Sequence, residues 1–307
     1  QGFVVKGAKL RTRLDKGNTL DEFGVGGIGR TFKSITITAA VIICAGSLIL
    51  YCFGFIDISN KWERLWTSIF HSISAYNNAG FSIWSSSMYE YRTNLLVNFV
   101  FIALIILGGL GWRVIDDIWN NRHNLRYKKL SLHSKLVLRT TLTLIIFGSF
   151  GFFITESLLN GKFFDDLNFG ERLLASLFET VSARTAGFTN YSISLNTISD
   201  TGILLLMTLM FIGASPGGTG GGIKTTTFIA LMAATRSTLR GQKDVIISNR
   251  LISDKVILKA VGITVGSLLF VLLMAMLLST TNTFINKEKF TFLEMLFTCI
   301  SAFATVG

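Results

Sequence analysis

The chain has 307 residues, half of them hydrophobic, a mean hydropathy of +0.54 and only 15% charged residues. A soluble domain carries about 25% charged residues, so this composition excludes an ordinary soluble fold and points to an integral membrane protein. The net charge of +11 would suit a nucleic-acid binder only if its distribution were ignored.

Position gives the charge its meaning. Residues 1–34, 113–139 and 235–259 together carry +13, the polar segments between them (56–92, 156–200 and 282–307) carry −3, and Lys224 makes up the rest. An excess of Lys and Arg on alternate loops is the positive-inside signature, which puts the three basic segments in the cytoplasm of a multi-pass protein of the plasma (inner) membrane. Nucleic-acid binding is set aside. Cys44, Cys52 and Cys299 lie in or beside apolar segments, without metal-ligand spacing, and read as lipid-facing or packing residues. His71, His123 and His133 do not cluster with carboxylates or cysteines in the sequence.

In chain order, residues 1–30 read as a cytoplasmic connector and residues 31–55 as a first span, long enough for a bilayer core of about 30 Å. Residues 62–76 form an amphipathic half-helix too short to span, and 94–112 a return span ending on Arg113. The plan repeats: 136–155 goes out, 169–183 is a half-helix, and the chain returns from Ile203. A third round begins at 256–278, has its half-helix at 290–302, and stops. The expected units are 31–119, 136–235 and 254–307, joined by cytoplasmic loops at 120–135 and 236–253. The fold class is all-α, integral to the membrane, with span–pore-loop–span units repeated around a central pore. The chain reads as part of a longer protein.

Each half-helix ends in a related motif: SAYNNAGF from Ser74, SARTAGF from Ser182 and SAFATVG from Ser301. The glycines Gly80, Gly187 and Gly307 are 107 and 120 residues apart, but the serine-to-glycine spacing is six, five and six. A half-helix that stops in mid-membrane aims its C-terminal dipole, about half a negative charge, inward. The extended residues beyond it offer carbonyls, and rings of carbonyls can replace an ion's water shell. The alternative is that these glycines only let helices pack closely.

The second return span is broken by SPGGTGGGIKTTT, where six glycines and the only proline fall within residues 213–222. Broken helix in lipid is tolerated only where it is buried or lines a cavity. The span therefore reads as two half-helices joined by an intramembrane loop. That loop is either a gate or a packing break, and Lys224 in it is a functional candidate by depth alone. A phosphate-loop reading fails because Ile223 separates Gly222 from Lys224. Arg184 beside the second motif reads as a brace, paired with Glu179, and Asn77 and Asn78 as brace or ligand.

These motifs, above all SPGGTGGGIKTTT, resemble the Trk/Ktr/HKT superfamily of potassium transporters, and within it the membrane subunits of bacterial Ktr systems. The resemblance covers nearly the whole chain. It implies four unequal units around one pore, of which the second, the third and the first half of the fourth are present here. It implies filter carbonyls from Asn77, Asn78, Ala79 and Gly80, from Thr185, Ala186 and Gly187, and from Ala304, Thr305, Val306 and Gly307. It implies a gate loop, residues 213–227, that includes Gly213, Ser215, Pro216, Gly217, Gly218, Thr219, Gly220, Gly221, Gly222, Lys224 and Thr225. It further implies a homodimer docked on a cytosolic nucleotide-binding regulatory ring, with K+ in the pore and no covalent cofactor. Sodium coupling stays open, because a serine in place of the first filter glycine is linked in the family to sodium transport and that stretch is absent here. Three rivals stand beside a potassium transporter: a sodium-selective transporter of the same fold, a membrane-embedded enzyme using Lys224 or a histidine, and a purely structural subunit.

Overall fold

The computed structural model describes residues 25–122, 129–159, 162–165, 167–190, 197–242, 244–248, 250–285 and 290–307. Most of the expected connector, residues 1–24, lies outside them. Helices are the main elements of the described chain, and its one strand pair is the two-residue antiparallel β1 (Ile246–Ile247) with β2 (Arg250–Leu251). The helices are α1 (Val25–Ile49, widening to a π-turn at Leu50–Gly54), α2 (Lys61–Tyr76), α3 (Leu95–Leu110), α4 (Trp112–Asn120), α5 (Leu132–Leu158), α6 (Phe169–Ala183), α7 (Asp200–Phe211), α8 (Thr225–Leu239), α9 (Asp254–Ile285) and α10 (Phe292–Ala304).

Among the described residues, three helices are long and apolar enough to cross a membrane: Phe32–Gly54, Leu132–Leu158 and Asp254–Thr281. Each is followed by a short helix that starts at a built N-terminus. The Asn60 side chain accepts from the backbone N–H of Trp62 at 3.0 Å. The Glu171 carboxylate accepts from the Asn168 backbone N–H at 2.9 Å. At α10 the bonding is reciprocal: the Glu294 backbone N–H donates to Thr291 Oγ1 and the Thr291 N–H to Glu294. Glu63, Glu171 and Glu294 occupy the first turns of α2, α6 and α10, where a carboxylate opposes the positive end of the helix dipole. The repeat thus extends to an [Asn/Thr]-x-x-Glu signature at residues 60–63, 168–171 and 291–294, the sequence mark of a capping box.

The short helices sit inside. α2 packs on α1 and α3, α6 on α5, α3 and α7, and α10 on α9 and α7. The α3–α6 and α7–α10 contacts join consecutive units side by side. α9 leaves most of its apolar surface bare, as a helix facing lipid does.

Both return spans are broken, one of them against expectation. The first does not run straight from 94 to 112: α3 ends at Leu110, Gly111 takes φ 84°, and α4 leaves at 97° to α3. Only a glycine adopts that backbone without steric cost, and a Cβ on Gly111 would sit 2.8 Å from the Gly217 carbonyl carbon. The second divides into α7 and α8 around the glycine-rich loop, as its composition predicts. α1 already begins at Val25 and α10 ends at Ala304 rather than 302, so Ala304 closes a helix instead of starting an extended stretch.

Glu156, buried near the end of α5, takes the Ser199 hydroxyl at 2.6 Å and its backbone N–H at 3.2 Å. Ser199 in turn caps α7 by accepting from Gly202 at 3.0 Å. Glu156→Ala leaves these half-buried donors without their acceptor and should cost about 1–2 kcal/mol, read as a lowered melting temperature of the full-length protein in detergent.

Candidate functional site

The residues after α2, α6 and α10 form three tails with one backbone plan. In each, a left-handed residue stands two positions before a left-handed glycine: Asn78 (φ 51°) and Gly80 (70°), Thr185 (84°) and Gly187 (79°), Thr305 (57°) and Gly307 (101°). For the β-branched Thr185 and Thr305 this is a costly conformation, of the kind that persists where the surroundings impose it. In each tail the serine that opens the motif closes it as well. Ser74 donates to the Phe81 carbonyl at 2.8 Å, Ser182 to that of Phe188, and Ser301 to that of Gly307 at 2.9 Å.

The same geometry explains the uneven spacing of the motifs. The serine carbonyl accepts from the residue just before the glycine in all three: Ala79, Ala186 and Val306. That bond closes a five-residue step in the first and third tails and a four-residue step in the second. The extra residue is absorbed where the helix ends, and the tails proper keep the same register.

The tails meet. A Cβ on Gly80 would lie 2.6 Å from the Ala186 carbonyl oxygen, and one on Gly187 would strike the Val306 carbonyl oxygen. First, second and third tails therefore pass one another backbone to backbone, at distances that only glycine allows. The three tails thus meet just beyond the C-terminal ends of α2, α6 and α10, the negative ends of their helix dipoles.

The glycine-rich loop lies against all three tails. Thr219 Oγ1 donates to the Tyr76 carbonyl at 3.1 Å and accepts from Asn78 Nδ2 at 2.7 Å. A Cβ on Gly220 would strike Thr185 Oγ1, and one on Gly221 would lie 2.6 Å from both the Ala304 carbonyl and Thr305 Oγ1. Three consecutive residues thus touch three different tails. Lys224 Nζ holds the loop's own bend by donating to the Gly220 carbonyl at 2.8 Å. Ser215 and Thr225 are joined through their hydroxyls at 2.9 Å, and both are fully buried. The loop also answers the break in the first return span. Carbonyls freed at the end of α3 accept from it, Gly109 from Ser215 N–H at 3.0 Å and Gly108 from Thr219 N–H at 3.2 Å, while Trp112 N–H donates to Gly217 at 3.4 Å. Each broken helix satisfies the other's stranded backbone, as a break at membrane depth requires.

The expected Arg184–Glu179 pair does not form. Arg184 is buried and donates to the Gly213 carbonyl at 3.2 Å, which ties the second tail to the start of the loop. Glu179 accepts from the Asn190 backbone N–H at 3.2 Å, and Asn190 Nδ2 donates to Asn98 on α3 at 3.0 Å. The two side chains tie opposite ends of the second motif, Arg184 to the start of the glycine-rich loop and Glu179 to Asn190. The Gly213 carbonyl takes the place that the carboxylate was expected to fill.

Sequence reasoning passed over several residues that build this place. Ser74, Ser182 and Ser301 were visible as the conserved first letter of the repeat within this chain, and Gly108, Gly109 and Gly111 as a small-residue run at the end of an apolar span. His71 has a packing role: it is fully buried, stacks on Trp84 with centroids 4.4 Å apart, and contacts Ser82 Oγ at 3.1 Å behind the first tail. All three cysteines are free, Cys44 and Cys52 on exposed helix surface.

A polytopic helical protein in which three half-helices bring their C-terminal tails together backbone to backbone has the build of a membrane transport protein. Residues 4–307 match the TrkH family, described as cation transport protein, and the chain belongs to that family. It is 36% identical over 298 residues to Ktr system potassium uptake protein B of Bacillus subtilis, covering 97% of this chain and 64% of that protein. It is 37% identical over 247 residues to potassium/sodium uptake protein NtpJ of Enterococcus hirae, covering 80% of this chain and 53% of that protein. The crystal structure of the potassium transporter TrkH from Vibrio parahaemolyticus shares the fold, with a TM-score of 0.67 at 17% identity, over 88% of this chain and 55% of that one. The chain spans about two thirds or less of the relatives it matches. It is a multi-pass membrane protein of a transporter family, and the membrane-enzyme alternative falls.

Proposed function

We propose that this chain forms most of the ion path of a potassium uptake protein. K+ passes a ring of backbone carbonyls from Asn77–Gly80, Thr185–Gly187 and Ala304–Gly307, and the loop 213–227 gates it from the cytoplasmic side. The observation that carries the reading is the convergence of three tails with the same alternation of backbone hand, since residues of alternating hand turn successive carbonyls to one side. The basic segments face the cytoplasm, where they suit a regulatory ring of the kind a multi-subunit Ktr system requires, and two copies of the protein associate in the membrane with one path each. Sodium enters through the potassium/sodium relative, so coupling to Na+ is part of the test.

The full-length protein, expressed in cells without their own potassium uptake, should restore growth at low external K+. Comparing media with and without Na+ separates plain from sodium-coupled uptake. Membrane expression without rescue under either condition, together with measurable 22Na flux, would replace potassium by sodium as the cargo.

A further inference from the structure

We propose that the groove between the basic ends of α5 and α8 is a binding site for one anionic phospholipid of the inner leaflet. The groove is a cavity of about 650 Å³ whose wall includes Arg139, Arg236 and Arg240 and not one carboxylate. Arg139 lies two turns into α5. Arg236 and Arg240 stand four residues apart at the end of α8, and so share a face. Among the described residues none of the three guanidiniums is held in an ion pair or a side-chain hydrogen bond. Like charges gathered in one concavity without a counter-charge favour an anion there.

The rest of the wall says which kind of anion. Away from the arginines the groove is lined by Leu144, Phe228 and Met232. At about 1.5 Å per helical residue, Leu144 lies about 7 Å beyond Arg139, and Met232 about 12 Å before Arg240, in both cases toward the membrane interior. The site is therefore basic at one end and apolar at the other, along the axis of a lipid in that leaflet. Basic pockets between transmembrane helices on the cytoplasmic side recognise lipid headgroup phosphates. A second cavity of about 450 Å³ continues the groove through the shared residues Leu136, Ile229 and Ile247. It reaches Pro216 and Gly217 of the glycine-rich loop, with Arg113 and Lys259 on its wall. The ligand would thus lie along α8, the helix that runs directly out of that loop.

The test reads binding and does not depend on transport. Full-length protein in mild detergent is stripped of lipid and offered phosphatidylglycerol, phosphatidylcholine or inorganic phosphate, and the bound species are counted by native mass spectrometry. One phosphatidylglycerol should remain, while phosphatidylcholine and inorganic phosphate wash away. Each arginine contributes about fivefold near an anionic headgroup, so R236Q/R240Q should weaken retention about thirtyfold. R236K/R240K should keep most of it and shows that the charge, rather than the fold, is responsible. Equal retention of the two lipids, binding of inorganic phosphate as tight as that of phosphatidylglycerol, or an unchanged R236Q/R240Q variant would overturn the proposal.

Discussion

Gly187→Ala should lower rubidium flux through the full-length protein in liposomes by more than tenfold and erode its preference over sodium. Two independent costs fall on the same atom. A Cβ at Gly187 meets the Val306 carbonyl oxygen, part of a backbone that can yield only by moving the third tail. Gly187 also has φ 79°, where an L side chain costs about 1–2 kcal/mol, and 1.4 kcal/mol alone is a factor of ten. Gly80→Ala should act in the same direction but less, since its Cβ would sit 2.6 Å from the Ala186 carbonyl at φ 70°. Gly262 and Gly266 supply the control. They lie in α9 with nothing within 4 Å of an added Cβ, and alanine there should stabilise the helix by about 1 kcal/mol and leave flux unchanged. Parental flux and selectivity in Gly187→Ala would remove the tails from the ion path.

The second large effect concerns the loop. Thr219→Val keeps the volume but deletes the bonds to Tyr76 and Asn78. At about 1 kcal/mol for each bond, the equilibrium between the seated loop and a displaced one shifts by about thirtyfold. Basal flux without any regulatory partner should rise accordingly. Lys224→Met, which deletes the 2.8 Å bond to Gly220, should raise it as well. If both variants conduct at the parental rate while remaining folded, the loop is a packing element and the gate lies elsewhere.

The membrane class, the threefold alternation of long and short helices and the break at 213–222 are all legible in the sequence. They are consequences of composition along one stretch of chain: apolar length decides what can span, and six glycines with one proline cannot continue a helix. The 169–183 half-helix is read to the residue, and the structure starts it at the Asn168–Glu171 cap and ends it at the small-residue motif. The break at Gly111 is not legible in the same way. A short run of small residues at the end of an apolar span is common, and what ends α3 there is the loop, some hundred residues on, offering N–H groups to the carbonyls of Gly108 and Gly109.

Partnership is where sequence reading stops. Opposite charges five residues apart suggested that Arg184 and Glu179 pair, yet each finds a backbone group from a different part of the chain. The choice depends on which carbonyls and N–H groups are left unspent once the helices end, and only packing determines that. The same holds for the motif spacing of six, five and six, which looks like a flaw in the repeat until the serine carbonyl is seen to absorb one residue at the helix end. The sequence by itself determined where this chain can cross, stop and break, because those limits are set by local hydrophobicity and backbone chemistry. Only the tertiary structure decided that Thr219, Gly220 and Gly221 each face a different tail, and that Gly80, Gly187 and Val306 pass within touching distance. Such contacts join residues from 35 to 143 positions apart, and no local preference encodes them.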